Sequence, residues 1–186
     1  MSEQPPPDFA MQRAVEILAN IYERNHKDNA VPPPPADKPI VLFSETIAFD
    51  VTRTSREEVE RALGVAFSYP ARGWHTYCVR GLERERLFAS LFYSSGTLAA
   101  AELYVPKVER APNLSPRDIS FRFVPGEIAV GKPMTSLPEH FGRISALAEQ
   151  FGAYNEMFEA RFPGGSAYAM GNDGVIERLA IYGLRD

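Results

Sequence analysis

The chain of 186 residues has a single cysteine, Cys78, so no internal disulfide can form, and the composition fits a reducing compartment. Histidine is scarce too: His26, His75 and His140 are the only three, and none belongs to a Cys/His/Asp/Glu group with metal-ligand spacing. No metal or cofactor is expected. No run approaches the roughly 18 apolar residues of a membrane span, so none is expected. The opening "MSEQPPPDF" has no basic stretch followed by an apolar one, which makes the cytoplasm the expected location. A dominant charge sign is also missing. The 20 basic and 24 acidic residues are interspersed and leave a net charge of -4, so no stripe can neutralise a phosphate backbone and nucleic acid is not an expected partner. A phosphate cradle is absent as well: "VGKPMTS" has Gly-Lys without the preceding loop, and "PGGSAYAMGNDG" lacks the strand-to-helix setting.

What is present is an ordinary globular composition, 45% apolar and 24% charged, in a chain long enough for one well-buried domain or two small ones. After three prolines, Asp8 stands as an N-cap, and Met11, Ala14, Val15, Leu18, Ile21 and Tyr22 recur at helical spacing. The pattern predicts an N-terminal helix from Phe9 to Arg24. The stretch that follows is rich in proline without apolar periodicity, which predicts an extended connector; Val31 to Pro39 would reach about 28 Å at ~3.1 Å per residue. Residues 1–40 are thus expected to form a helix and a Pro-rich linker. The helix either covers its own sheet or packs on a second subunit, making it a candidate homo-oligomer contact.

Beyond the linker the chain reads twice. Ile47-Ala48-Phe49 leads to Thr54-Ser55-Arg56-Glu57-Glu58, and 81 residues later Ile128-Ala129-Val130 leads to Thr135-Ser136-Leu137-Pro138-Glu139. Ser-x-x-Glu is a capping box, so each copy is expected to pass from strand to helix, ending at Gly64 and at Gly152. "WHTYCV" and "NEMFEARF" then read as strands. A hairpin follows each, turning at Ser94-Ser95-Gly96 and at Asn172-Asp173-Gly174. In the closing strands Leu98, Leu103 and Tyr104 match Ile176, Ile181 and Tyr182. The expected fold is α+β: two tandem strand-helix-three-strand repeats, 41–110 and 117–186, with antiparallel sheet, preceded by the N-terminal helix and linker. Alternation puts Ala101, Leu103, Leu179 and Ile181 on one apolar row, with Glu102, Arg178, Tyr104 and Tyr182 opposite.

The order of a capped helix ending in "ALG", a strand with "WHTY" and a hairpin with "FYSSGTL" resembles the small helix-on-sheet module of the barrel-assembly outer-membrane lipoproteins. A tandem pair resembles the beta-lactamase inhibitor protein fold. The resemblance spans Ile47 to Arg185 and implies a sheet surface that grips another protein; it transfers no functional residue individually.

Catalysis has little to build on. His75 and Cys78 lie three apart on a strand and point to opposite faces, a poor nucleophile and base pair. His140 reads as a solvated residue at a helix start. The charged run "RGLERERL" alternates in sign, as a solvated loop does. Aromatics are the stronger signal: Trp74, Tyr104 and Tyr182 are the candidate binding residues of one exposed sheet surface, since aromatic side chains supply much of the energy at protein interfaces. The expected function is a non-catalytic adaptor or inhibitor-like protein whose partner is another protein. Two alternatives stay open: a small-molecule-binding domain or enzyme with a pocket between sheet and helices, and an oligomeric structural subunit.

Overall fold

In the computed structural model, which describes residues 34–64, 66–68, 74–106, 117–144 and 154–183, two tight turns set the local geometry. Ser95 and Gly96 take φ of 50° and 78°, and Asp173 and Gly174 take 53° and 73°. Positive φ at both central residues is the hairpin turn whose twist matches its flanking strands. The first turn joins β5 (Leu87–Ser94) to β6 (Thr97–Tyr104); the second joins β10 (Gly165–Asn172) to β11 (Val175–Gly183). With β4 (Trp74–Gly81) and β9 (Glu156–Phe162) they form two three-stranded meanders. Both strands and both hairpins fall where the sequence places them.

The meanders meet through their last strands. β6 and β11 pair antiparallel, with Leu103 opposite Leu179 and Ala101 opposite Ile181. The remaining strands extend the sheet outward: β1 (Val41–Ser44), β2 (Ala48–Phe49) and β7 (Ser120–Val124) beyond β4, and β8 (Gly142–Arg143) beyond β9. Eleven strands among the described residues run in the order β2-β1-β7-β4-β5-β6-β11-β10-β9-β8, with β3 (Phe67–Ser68) on β4. All pairs are antiparallel except β4 with β7. Because β7 comes from 117–186 and pairs with β1 and β4, the two stretches share one sheet.

This architecture corrects the expected α+β repeats. The described residues hold one α-helix, α1 (Arg56–Leu63), and are otherwise mostly sheet. Its capping box forms as expected: Ser55 Oγ accepts from the Glu58 N–H at 3.2 Å, and Glu58 Oε2 accepts from the Ser55 N–H at 2.7 Å. The matching Ser136 does something else. Its hydroxyl donates to the Pro133 carbonyl at 2.6 Å, and the chain makes only the 3-10 turn Met134–Ser136. Pro138 supplies the reason, because the residue before a proline is pushed out of the helical region. Leu137 accordingly takes φ -62° and ψ 139°, and the chain then enters β8. Residues 145–153, where the second helix was expected to continue, lie outside the described residues, as does the segment of the N-terminal helix. The end of the linker is described: Pro35 bridges Arg161 in parallel, and the Ala36 N–H donates to the Arg161 carbonyl on β9.

One face of the sheet holds the main core. Tyr77 and Val79 of β4, Leu87, Ala89 and Leu91 of β5, Ala101 and Leu103 of β6, and Leu179 and Ile181 of β11 are buried there. α1 adds Val59 and Leu63, each contributing about 1.5–3 kcal/mol by burial. The core continues through Leu42, Phe49, Phe121 and Phe123 under the β1–β2–β7 end. Gly171 stands at a bulge on β10, where an added Cβ would fall 1.8 Å from the Val175 carbonyl oxygen. Only glycine lets these backbones approach so closely.

A buried polar row on the second face of the sheet

Side chains alternate along a strand, so the residues between the core positions of β4, β5, β6, β11, β10 and β9 share the opposite face. Cross-strand pairing aligns them as Thr76, Ser90, Glu102, Ala180, Tyr168 and Glu159, one residue from each of six adjacent strands. Five of the six are polar. A row facing water would be exposed, yet Thr76, Ser90, Glu102 and Glu159 retain only 3 to 6% of their surface. Buried polar groups must be hydrogen-bonded, and these are.

At one end the Thr76 Oγ1 and Ser90 Oγ lie 2.9 Å apart, and Ser90 Oγ lies 3.2 Å from the Tyr104 hydroxyl. At the centre Glu102 divides its carboxylate. Arg178 Nη2 donates to Oε2 at 2.5 Å, and the Tyr182 hydroxyl donates to Oε1 at 2.6 Å. The Arg178 guanidinium also lies 5.5 Å over the Tyr104 ring, and Tyr182 meets Tyr168 edge-on at 5.9 Å. At the far end the Tyr168 hydroxyl donates to Glu159 Oε1 at 3.2 Å. Hydroxyls, charges and rings thus follow one another across six strands.

Protonation follows from this packing. Burial pushes the Tyr182 phenol well above its ordinary range, and the adjacent Glu102 carboxylate pushes it further, so Tyr182 remains a donor. Tyr168 is raised for the same reasons, with Glu159 in place of Glu102. Burial opposes the charge on Arg178, but the attraction and hydrogen bond of Glu102 together with the neighbouring tyrosines outweigh it and hold the guanidinium charged. Neither tyrosine has the lowered pKa that an activated nucleophile needs.

The three aromatic residues singled out from sequence lie on this face. Trp74 and Tyr182 fall in one cross-strand row, with Phe92 and Ala100 between them; Tyr104 falls in the row beyond the polar one. They do not touch one another. Trp74 packs on Phe92 with ring centroids 5.4 Å apart, Tyr104 meets Phe88 edge-on at 5.9 Å, and all three are half-buried. A second, smaller apolar cluster of Ile144, Tyr154, Met157, Tyr168, Met170 and Ala180 sits at the β9–β11 end, with Tyr182 packed against it.

Sequence reasoning set Glu102 and Arg178 opposite the core but missed that they pair, that Glu102 is buried, and that Glu159, Thr76 and Ser90 extend the row. Alternation put these residues on one face, but the register that sets Glu102 opposite Ala180 and beside Arg178 is a long-range pairing that no local signal gives. On the other face His75 meets Tyr93 edge-on at 5.2 Å, with the Arg56 guanidinium 5.9 Å over the same ring. Burial, and then Arg56, hold the His75 pKa below its ordinary value. Cys78 is buried on the face of the polar row, turned away from His75. Among the described residues no three of His, Cys, Asp and Glu are grouped to hold a metal ion, and no helix is long and apolar enough to cross a membrane.

No family model matches this chain, and no curated protein does. A crystal structure of a DUF4309 family protein (YjgB) from Bacillus subtilis is similar over 91% of this chain and 97% of its own, at 12% identity and a TM-score of 0.40. A similarity of this size does not establish a common fold, and none of these comparisons links the chain to the barrel-assembly lipoproteins.

Proposed function

We propose that this chain is a non-catalytic binding protein that receives another protein on the sheet face carrying the Thr76-to-Glu159 row. One observation supports the reading: half-buried Trp74, Phe92, Tyr104 and Tyr182 surround a row of buried polar groups on the side away from the main core. A face built only for packing would be apolar, and one built only for solvent would not hold Glu102 at 6% exposure. Large rings beside fixed polar groups are what protein interfaces use for affinity and orientation. The inward-facing Glu102 also favours a second reading, in which a small molecule is the ligand of the same face.

The test is capture of the partner by the full chain, followed by its purification and direct titration. Trp74→Ser with Tyr104→Ser is the suitable control, because Tyr182 holds a buried carboxylate and its loss would disturb the fold. The expected result is at least about tenfold weaker binding by the double variant, the loss of one good contact. Equal binding by a variant that keeps its melting temperature would refute the reading.

A further inference from the structure

The second face is buried more deeply than its own strands explain. Phe88 on β5 keeps 3% of its surface and Cys78 on β4 keeps 4%, in the cross-strand row beyond the polar one. A side chain standing on an open sheet face remains partly in water, so burial to this depth needs a second layer. The Arg86 guanidinium lies 5.8 Å over the Phe88 ring, but one planar group does not also close Ser90, Ala100 and Ala180, which are buried beside it. Both α1 and the 3-10 turn pack on the other face, through Val59, Leu63 and Met134. Among the described residues, Ile144 and Tyr154 pack on the second face only at its β9–β11 end. Phe88 is four strand spacings from β9, about 19 Å at ~4.8 Å each.

The N-terminal part of the chain has the composition and reach of the missing layer. Met11, Ala14, Val15, Leu18, Ile21 and Tyr22 form an apolar stripe at helical spacing; as a helix, residues 9–24 would be about 24 Å long, close to the ~26 Å of an eight-residue strand. Where the described chain begins decides which face it meets. Pro35 bridges Arg161 in parallel at the β9 edge. Continued upstream, that register would bring residue 33 against Glu159, where Gly142 of β8 already pairs, so the chain must leave the edge. The core side there is filled by Phe141, Phe158, Ala160 and Phe162, which leaves the second face. Residues 25–33 reach up to about 30 Å at ~3.3 Å each, more than the distance to β5. We infer that residues 9–24 of the same chain pack as an amphipathic helix on the second face, stripe down over Phe88, Ser90 and Ala100, and hold it closed until a partner displaces them. The displacement rests on the binding reading and adds a regulation of that same site.

The full chain carries its own reporter, because Cys78 is its single thiol and lies on this face. Leu18→Asp, which puts a charge into the stripe, is expected to raise the rate of Cys78 modification by a nitrobenzoate disulfide reagent about tenfold or more in a chain that still unfolds cooperatively, and to tighten binding of the purified partner by a similar factor. Asn20→Asp, the same charge on the polar side of the helix, should change neither. Should Leu18→Asp fail to fold, the photo-reactive p-benzoylphenylalanine at position 18 decides, since its rings suit an apolar stripe: cross-links are expected within one chain, on β5, β6 or β11. Cross-links between two chains or onto α1, or an unchanged Cys78 rate in folded Leu18→Asp, overturn the inference and leave the binding reading standing. A faster Cys78 with unchanged partner affinity keeps the helix on the face but overturns its displacement, and with it this face as the partner's site.

Discussion

Replacing Arg178 with Met tests whether the Glu102 pair organises the second face. The substitution keeps the side-chain stem and removes the cation, leaving Glu102 buried with the Tyr182 hydroxyl as its remaining partner. Removing one partner of a buried pair costs about 3–5 kcal/mol. The Glu102 side chain is 8% exposed but that of Arg178 is 29% exposed, and solvent reaching the cation side reduces the loss to about 2–3 kcal/mol. For a domain of this size each kcal/mol moves Tm by about 2–4 °C, so a drop of roughly 4–12 °C is expected by calorimetry or by circular dichroism during heating. Adding Glu102→Leu removes the stranded charge. The double variant should return to within about 1 kcal/mol of the parent, since apolar replacement of a whole buried pair is often neutral. A cost below about 1 kcal/mol for Arg178→Met, or a double variant less stable than the single, would show that Glu102 does not depend on this arginine.

Other outcomes are open to direct measurement. Ser55→Ala should cost about 1 kcal/mol in urea unfolding by removing the α1 cap, whereas Ser136→Ala, outside any α-helix, should change stability by less than half as much. Gly171→Ala should destabilise by about 2–3 kcal/mol, because its Cβ has no room beside the Val175 carbonyl. His75 has a depressed folded pKa, so below the unfolded value of 6.5 the unfolded chain binds more protons. Its contribution is therefore complete above pH 6.5 and lost as pH falls toward the folded value; the slope of unfolding free energy against pH should flatten there in His75→Gln.

The sheet centre was legible in the sequence because its signals are local. Alternation in β6 and β11 set Ala101, Leu103, Leu179 and Ile181 toward the core, and the two Gly-containing turns placed both hairpins. The second helix was misread because a capping box is only a start signal, and Pro138 two residues after Ser136 outweighs it. The outer strands were hidden for a different reason. β1, β2 and β7 are two to five residues long, and the parallel contact of β7 with β4 joins residues about forty apart, which no window along the chain reveals. The polar row was half visible. Alternation marks Glu102 as facing away from the core, and such a residue reads as solvated until the partners on neighbouring strands are known.

That the second face is where a partner binds is tested most directly by oxidative footprinting of the full chain with and without its purified partner, read by mass spectrometry at each oxidised side chain. The account predicts protection concentrated at Trp74, Phe92 and Tyr104, with Leu82 at the β4–β5 turn unchanged. Protection at Leu82 with none at those three rings would contradict it.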